Sequence, residues 1–148
     1  MNKKSFGLDI GVSSIKAVML DLDGNNLKLT ACIVVPTPSK GMLSESPVDE
    51  EEMAGAIKKA VLDAGISSKK VNIALPENQV YTKVVEMPYL SDRELASAIY
   101  WEAEQYIPIP LTSVSLSWNV IKRSAKPQPN EKMEVLMVGA PSLIVKKY

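Results

Sequence analysis

The chain contains no histidine and a single cysteine, Cys32, among its 148 residues. Those two shortages remove whole classes of chemistry: no Ser-His-Asp or Cys-His pair, no intrachain disulfide and no Cys/His zinc cage can be assembled from these residues. An excess of charge of one sign is also missing, since 17 Lys and Arg balance 17 Asp and Glu to a formal net charge of zero. That balance leaves no overall basic footprint for nucleic acid. Long apolar runs are lacking too, for Cys32 to Val35 and Val135 to Val138 fall far short of the roughly 20 residues a membrane-spanning helix needs. Nor does Met1-Asn2-Lys3-Lys4-Ser5 lead into the apolar stretch of a signal peptide. A cytoplasmic, reduced protein is expected. What is present, 46% hydrophobic and 23% charged residues, suits one globular domain or two small ones and is too apolar for a disordered chain.

Phe6 to Asp9 and Ile15 to Leu22 read as a β-hairpin around Gly11-Val12-Ser13-Ser14. Asp23-Gly24-Asn25-Asn26 is a hairpin turn signal, and Leu27 to Val35 gives a third strand. Pro36, Pro38, Ser39, Gly41 and Pro47 break regular structure, so residues 36 to 47 are expected to form a loop. Asp49 with Glu52 reads as a capping-box variant opening a helix through Met53, Ile57, Ala60, Val61 and Ala64, with Gly65 as its stop. Its acidic start and its Lys58-Lys59 pair are expected to complement the helix macrodipole. Val71 to Leu75, ended by Pro76, reads as a short buried strand. The order so far is β-β-β-α-β, and this lobe is expected to span residues 1–78.

Residues 79–148 change rhythm. Val80 to Met87 reads as a strand, Ser91 with Glu94 as a capping box opening a helix to Tyr106, and Ile107-Pro108-Ile109-Pro110 as its stop. The buried helix face reads as Leu95, Ile99, Ala103 and Tyr106. Val114, Leu116, Trp118 and Val120 alternate with Ser115, Ser117, Asn119 and Ile121 in a strand with one wet face. A turn rich in Lys, Pro, Gln and Asn then leads to the apolar strand Met133 to Val138. Pro141-Ser142 reads as a helix start followed for less than two turns, which suggests a piece of something longer.

Gly7-Leu8-Asp9-Ile10-Gly11-Val12-Ser13-Ser14-Ile15-Lys16 is the segment that points to chemistry. A strand ending in a carboxylate, then a tight turn with glycine and two hydroxyls, gathers backbone N–H groups, Ser side chains and a Lys around one small volume, which suits a phosphate. Asp9 would hold Mg²⁺ through water, because Mg²⁺ usually keeps several waters and takes only one or two carboxylates. The same string also reads as an ordinary hairpin with a glycine turn. Neither G-x-x-x-x-G-K-[ST] nor G-x-G-x-x-G occurs, so P-loop and Rossmann sites have no support. Trp101 and Tyr106, with Ile107 and Ile109, read either as packing for the second lobe or as lining for a partner's peptide. Glu102 and Glu104, two apart on a helix, diverge by about 200° and are no catalytic pair. Cys32 reads as a small buried strand residue.

The β-β-β-α-β order around the Gly11 turn resembles the opening of the actin, sugar-kinase and chaperone ATPase superfamily. Within it, the segment Asp9 to Val18, the segment Val71-Asn72-Ile73-Ala74-Leu75-Pro76 and above all Trp101-Glu102-Ala103-Glu104-Gln105-Tyr106-Ile107-Pro108-Ile109-Pro110 resemble the PilM family of actin-like type IV pilus assembly proteins. The resemblance covers essentially the whole chain. It implies an α/β (α+β) fold: residues 1–78 as an incomplete actin-like, RNase H-like subdomain 1A, and residues 79–148 as the strand-helix-strand-strand subdomain 1C of FtsA, cut at its last helix.

The resemblance also implies that Asp9 orients Mg²⁺, that Gly11, Val12, Ser13 and Ser14 bind the β- and γ-phosphates of ATP, and that Lys16 helps neutralise them. Val12 stands where the superfamily often carries Ser or Thr, which removes one hydroxyl. The second phosphate loop and the adenosine-binding lobe are not in this sequence, so ATP with Mg²⁺ would bind weakly or not at all, and no catalysis is expected from this chain alone. The implied partners are the cytoplasmic N-terminal peptide of a PilN-like inner-membrane protein, held in a groove between 1A and 1C whose residues the motif does not assign, and other pilus assembly proteins. Such a chain would be cytoplasmic and peripheral to the inner membrane through its partners. Two alternatives carry the same residues: the N-terminal lobe of an ATPase or kinase of the superfamily, and an FtsA-like cell-division protein. The incomplete first lobe is expected to expose an apolar sheet edge or face and to self-associate.

Overall fold

The computed structural model describes residues 4–124 and 130–148, in two compact units, the first ending at Ala74 and the second beginning at Leu75. In the first unit β1 (Phe6–Ile10), β2 (Ser14–Asp23), β3 (Asn26–Pro36), α1 (Pro47–Asp63) and β4 (Val71–Ile73) follow the expected β-β-β-α-β order. The sheet order is β3-β2-β1-β4, antiparallel except for β4, which runs parallel to β1. A parallel neighbour requires a crossover, and α1 supplies it.

Strand alternation decides which face α1 covers. Phe6, Leu8 and Ile10 of β1 and Ile15 and Ala17 of β2 are buried, as are Met53 and Ala60 of α1 and Ile66 beyond it. The other face carries their alternate residues. Cross-strand partners share a face, so Gly7 beside Val18, Val18 beside Cys32, and Asp9 beside Lys16 all lie there. Cys32 is exposed, not the buried residue expected of it, because β3 points it to this uncovered face. The β2–β3 connection is a two-residue turn in which Gly24 takes φ +64°, the left-handed value its first position requires.

Four local expectations are corrected. The stretch 36–47 is not all loop, since Gly41–Leu43 forms a 3₁₀ turn and α1 already starts at Pro47, a residue that suits a first helical position. The helix has no capping box at Asp49: Ser46 is its N-cap without a side-chain bond, and the Ser44 hydroxyl donates to the Asp49 carboxylate instead. Lys58 and Lys59 lie above the last turn, and Lys59 pairs with Asp63 one turn on, so the macrodipole is not their role. The stop at Gly65 holds: its φ is +69°, with Gly65 N–H donating to Leu62 O and Ile66 N–H to Val61 O, the paired bonds of a Schellman ending. Strand β4 is exposed at all three residues, not buried, because it is the edge of this sheet.

The second unit holds β5 (Tyr81–Pro88), α2 (Asp92–Tyr106), β6 (Val114–Lys122), β7 (Lys132–Pro141) and α3 (Ser142–Lys147). The antiparallel order β5-β7-β6 puts the most apolar strand in the centre. Val85, Met87, Leu95, Ile99, Ala103, Ile107, Met133, Val135 and Met137 form one buried cluster between the sheet and α2. Helix α2 starts with the expected capping box: Glu94 N–H donates to Ser91 Oγ, and Ser91 N–H donates to Glu94 Oε2 at 2.9 Å. The polar turn before β7 falls outside the described residues except for Asn130, which takes φ +66°.

Candidate functional site

The turn between β1 and β2 closes on itself. Gly11 N–H donates to Ser14 O at 3.0 Å, and a Cβ on Gly11 would stand 2.9 Å from that same backbone oxygen. Only glycine fits so close an approach without moving the turn. Thr37, just beyond β3, braces it from the side: its hydroxyl donates to Gly11 O at 2.7 Å and its N–H to Ser13 O at 3.2 Å. The carbonyls of Gly11, Ser13 and Ser14 are thereby occupied. The amides of Val12 and Ser13 and the hydroxyls of Ser13 and Ser14 have no hydrogen-bond partner among the described residues. Val12 is 93% exposed, so nothing covers the turn within this unit.

At the base of the turn Asp9 and Lys16 are direct cross-strand neighbours, with Nζ 2.9 Å from Asp9 Oδ2 and both side chains more than half exposed. An exposed pair of this kind contributes at most about 1 kcal/mol, so a stronger ligand for either group can separate it. A carboxylate at a strand end, free amides, two hydroxyls and an ammonium are the donor set that a Mg²⁺–phosphate group requires. The residues fit that group. Among the described residues no cluster of three or more His, Cys, Asp or Glu could hold a metal by itself. The structure thus brings Asp9, Gly11, Val12, Ser13, Ser14 and Lys16 to one corner. The sequence reading missed Thr37, whose only signal is a hydroxyl held extended between Pro36 and Pro38.

In the second unit, the aromatic residues of α2 divide. Trp101 is 73% exposed and takes no part in the buried cluster, so packing its own lobe is not its role. Tyr106 is also exposed, contrary to its expected place on the buried face, and the Lys83 ammonium lies 5.1 Å from its ring centre. Tyr100 meets the half-buried Trp118 edge to face at 6.4 Å. Ile107 is buried instead, and it ends the helix facing β7. No helix among the described residues is long and apolar enough to cross a membrane.

A hairpin closed by a glycine turn, a crossover helix into a parallel strand, and a following strand-helix-strand-strand unit define a mixed α+β protein of the actin-like class. The family model of the type IV pilus assembly protein PilM matches residues 7–146, and the chain belongs to that family. It is 30% identical to a chain of the solved PilM–PilN type IV pilus biogenesis complex, with a TM-score of 0.83 over 97% of this chain and 42% of that one. It is 36% identical over 92 residues to the cell division protein FtsA of Streptococcus pneumoniae serotype 2 (strain D39), covering 58% of this chain and 20% of FtsA. The fold also matches the cytoplasmic domain of EpsL, an inner-membrane component of the type II secretion system of Vibrio cholerae, at 14% identity and a TM-score of 0.52, over 97% of this chain and 49% of that one. The chain thus spans less than half the length of each of these relatives.

Proposed function

We propose that this chain is the part of a PilM-type scaffold that carries the first phosphate loop and the 1C module. In this reading the protein is cytoplasmic and is held at the inner membrane by the N-terminal cytoplasmic peptide of a PilN-like partner. The supporting observation is the likeness to the PilM–PilN complex, which extends over both units at 30% identity. The solvent-facing Trp101 supports a docking role for the second unit, because a large aromatic left in water by its own fold gains by being covered.

The longer protein binds ATP at the Gly11 turn. Asp9 would hold Mg²⁺, the amides of Val12 and Ser13 and the hydroxyls of Ser13 and Ser14 would donate to phosphate oxygens, and Lys16, no longer paired with Asp9, would neutralise them. Mg²⁺, when bound, supplies charge neutralisation at the strand end. Thr37 acts through the turn, keeping its carbonyls directed away from the anion. This chain alone contributes binding and no turnover. The FtsA relative favours one second reading, an FtsA-like cell-division scaffold, which differs in its partner. The uncovered face of the first sheet, where Val18, Leu20 and Val34 are 42%, 46% and 67% exposed, supports self-association of this chain on its own.

The test is titration of the chain with the N-terminal peptide of its own organism's PilN-like protein, with and without Mg-ATP, read by the fluorescence of Trp101 and Trp118. Saturable binding without ATP is the expected result. A folded chain that leaves the peptide free in both conditions removes the recruitment role from these residues.

A further inference from the structure

Below the start of β1, at the other end of that strand from the Gly11 turn, a cleft of about 400 Å³ is lined by Lys4, Met19, Ser67, Ser68, Lys69 and Lys70. Three of its six lining residues carry an ammonium, and none carries a carboxylate. Asp21 is the carboxylate that reaches it from β2, and it engages Lys4 Nζ at 2.6 Å. Lys69 and Lys70 are exposed and form no ion pair among the described residues.

The backbone that presents these lysines is fixed. Ser68 Oγ donates to Lys4 O at 2.6 Å and accepts from Lys70 N–H at 3.1 Å, so one hydroxyl ties the loop to the strand entry. Phe6 N–H donates to Lys70 O at 3.1 Å, and Asn72 Nδ2 donates to Ser5 Oγ at 3.1 Å. Upstream, the Gly65 ending and the buried Ile66 anchor the same loop to α1. Two unpaired ammoniums on a loop whose backbone is pinned, with the Ser67 hydroxyl beside them, suit a compact oxyanion, because the backbone's share of the ordering cost has been met before the ligand arrives.

We propose that this cleft binds a phosphate group through Lys69, Lys70 and Ser67, with Lys4, paired to Asp21, forming its wall. Its place at the opposite end of β1 makes it independent of the Gly11 turn. Two sources present this chemistry, the headgroup of an anionic phospholipid and a soluble phosphate.

Two arms distinguish them: amide shifts of the ¹⁵N-labelled chain on addition of inorganic phosphate, and co-sedimentation with vesicles of phosphatidylglycerol and phosphatidylcholine against phosphatidylcholine alone. Saturable shifts centred on Ser67 to Lys70, without selective sedimentation, identify a soluble phosphate. Sedimentation only with the anionic vesicles, weakening as salt rises, identifies a headgroup. In either case Lys69→Glu with Lys70→Glu is expected to weaken binding by more than about 25-fold, since each lysine contributes roughly fivefold at an anionic surface and reversal adds repulsion to that loss. Lys69→Gln with Lys70→Gln, which removes the charges and shortens each side chain by only one atom, is the companion for any loss of fold and is expected to give an intermediate loss. The proposal is overturned by no binding in both arms, by binding that these variants leave unchanged, or by phosphate shifts confined to Gly11 to Ser14.

Discussion

Gly139 sits in β7, the central strand of the second unit, with Tyr81 of β5 and Leu116 of β6 opposite it. A Cβ there would lie 2.5 Å from Ile107 Cδ1 and 3.2 Å from Val114 Cγ1. The terminal methyl of an isoleucine can move where there is room, but Ile107 is 5% exposed within the buried cluster, and the room beside it is a cleft of about 280 Å³ that it lines with Tyr81, Tyr106 and Met137, so relief comes only by leaving its packed position. Overpacking of this kind costs about 1–3 kcal/mol, and replacing a strand glycine by alanine returns about 0.5–1 kcal/mol. Gly139→Ala is therefore expected to destabilise the second unit by about 0–2.5 kcal/mol, centred at about 1 kcal/mol. Ile107→Val, which removes the methyl in the way, costs about 0.5–1.5 kcal/mol alone. In the double variant the two losses should not add, and a favourable coupling of about 1 kcal/mol is expected. Urea unfolding followed by tryptophan fluorescence reads this unit selectively, because Trp101 and Trp118 both lie in it and are the chain's two tryptophans. A Gly139→Ala variant more stable than the parent, or a double variant whose loss equals the sum of the single ones, would refute the reasoning.

Two further outcomes follow from the same unit. Ser91→Ala should cost about 1 kcal/mol near neutral pH through loss of the N-cap. The Ser91 hydroxyl, and after it the Ser91 backbone N–H, hold the Glu94 carboxyl below its usual value. That contribution is complete above the ordinary carboxylate pKa and is lost as pH falls through the lower folded value, so the gap between the urea midpoints of parent and variant should narrow in acid to what the Glu94 N–H bond to Ser91 Oγ still supplies. Trp101→Ala should leave the unfolding midpoint nearly unchanged, since that side chain is 73% exposed, whereas Ile99→Ala, fully buried, should cost about 2–5 kcal/mol. A large loss from Trp101→Ala would mean that its indole packs within the fold after all.

Much of the architecture was legible because period and punctuation agreed. The alternation in Val114 to Val120, the Ser91–Glu94 box and the Gly65 stop each state one structure, and each is observed. The failures have a common physical origin, for apolar or small character does not reveal which face of a strand or helix a neighbour covers. Cys32, Val71 and Ile73 read as buried and are exposed, on an uncovered face and an edge. Tyr106 lies at helical spacing from Ala103, yet the chain turns at Ile107, which takes the buried place. At the candidate site the turn residues were legible from the string Asp9 to Lys16. Thr37 was not, because its contact closes across 26 positions of chain that the local pattern does not link.

The most direct test of the recruiting role uses the partner in a bilayer. The chain is mixed with nanodiscs that carry the full-length PilN-like protein of its own organism, and with nanodiscs whose copy lacks the N-terminal cytoplasmic segment, then separated by size-exclusion chromatography. The account predicts that the chain elutes with the intact partner and runs free of the shortened one. Elution apart from both, by a chain that is folded, would contradict it, as would equal retention by both.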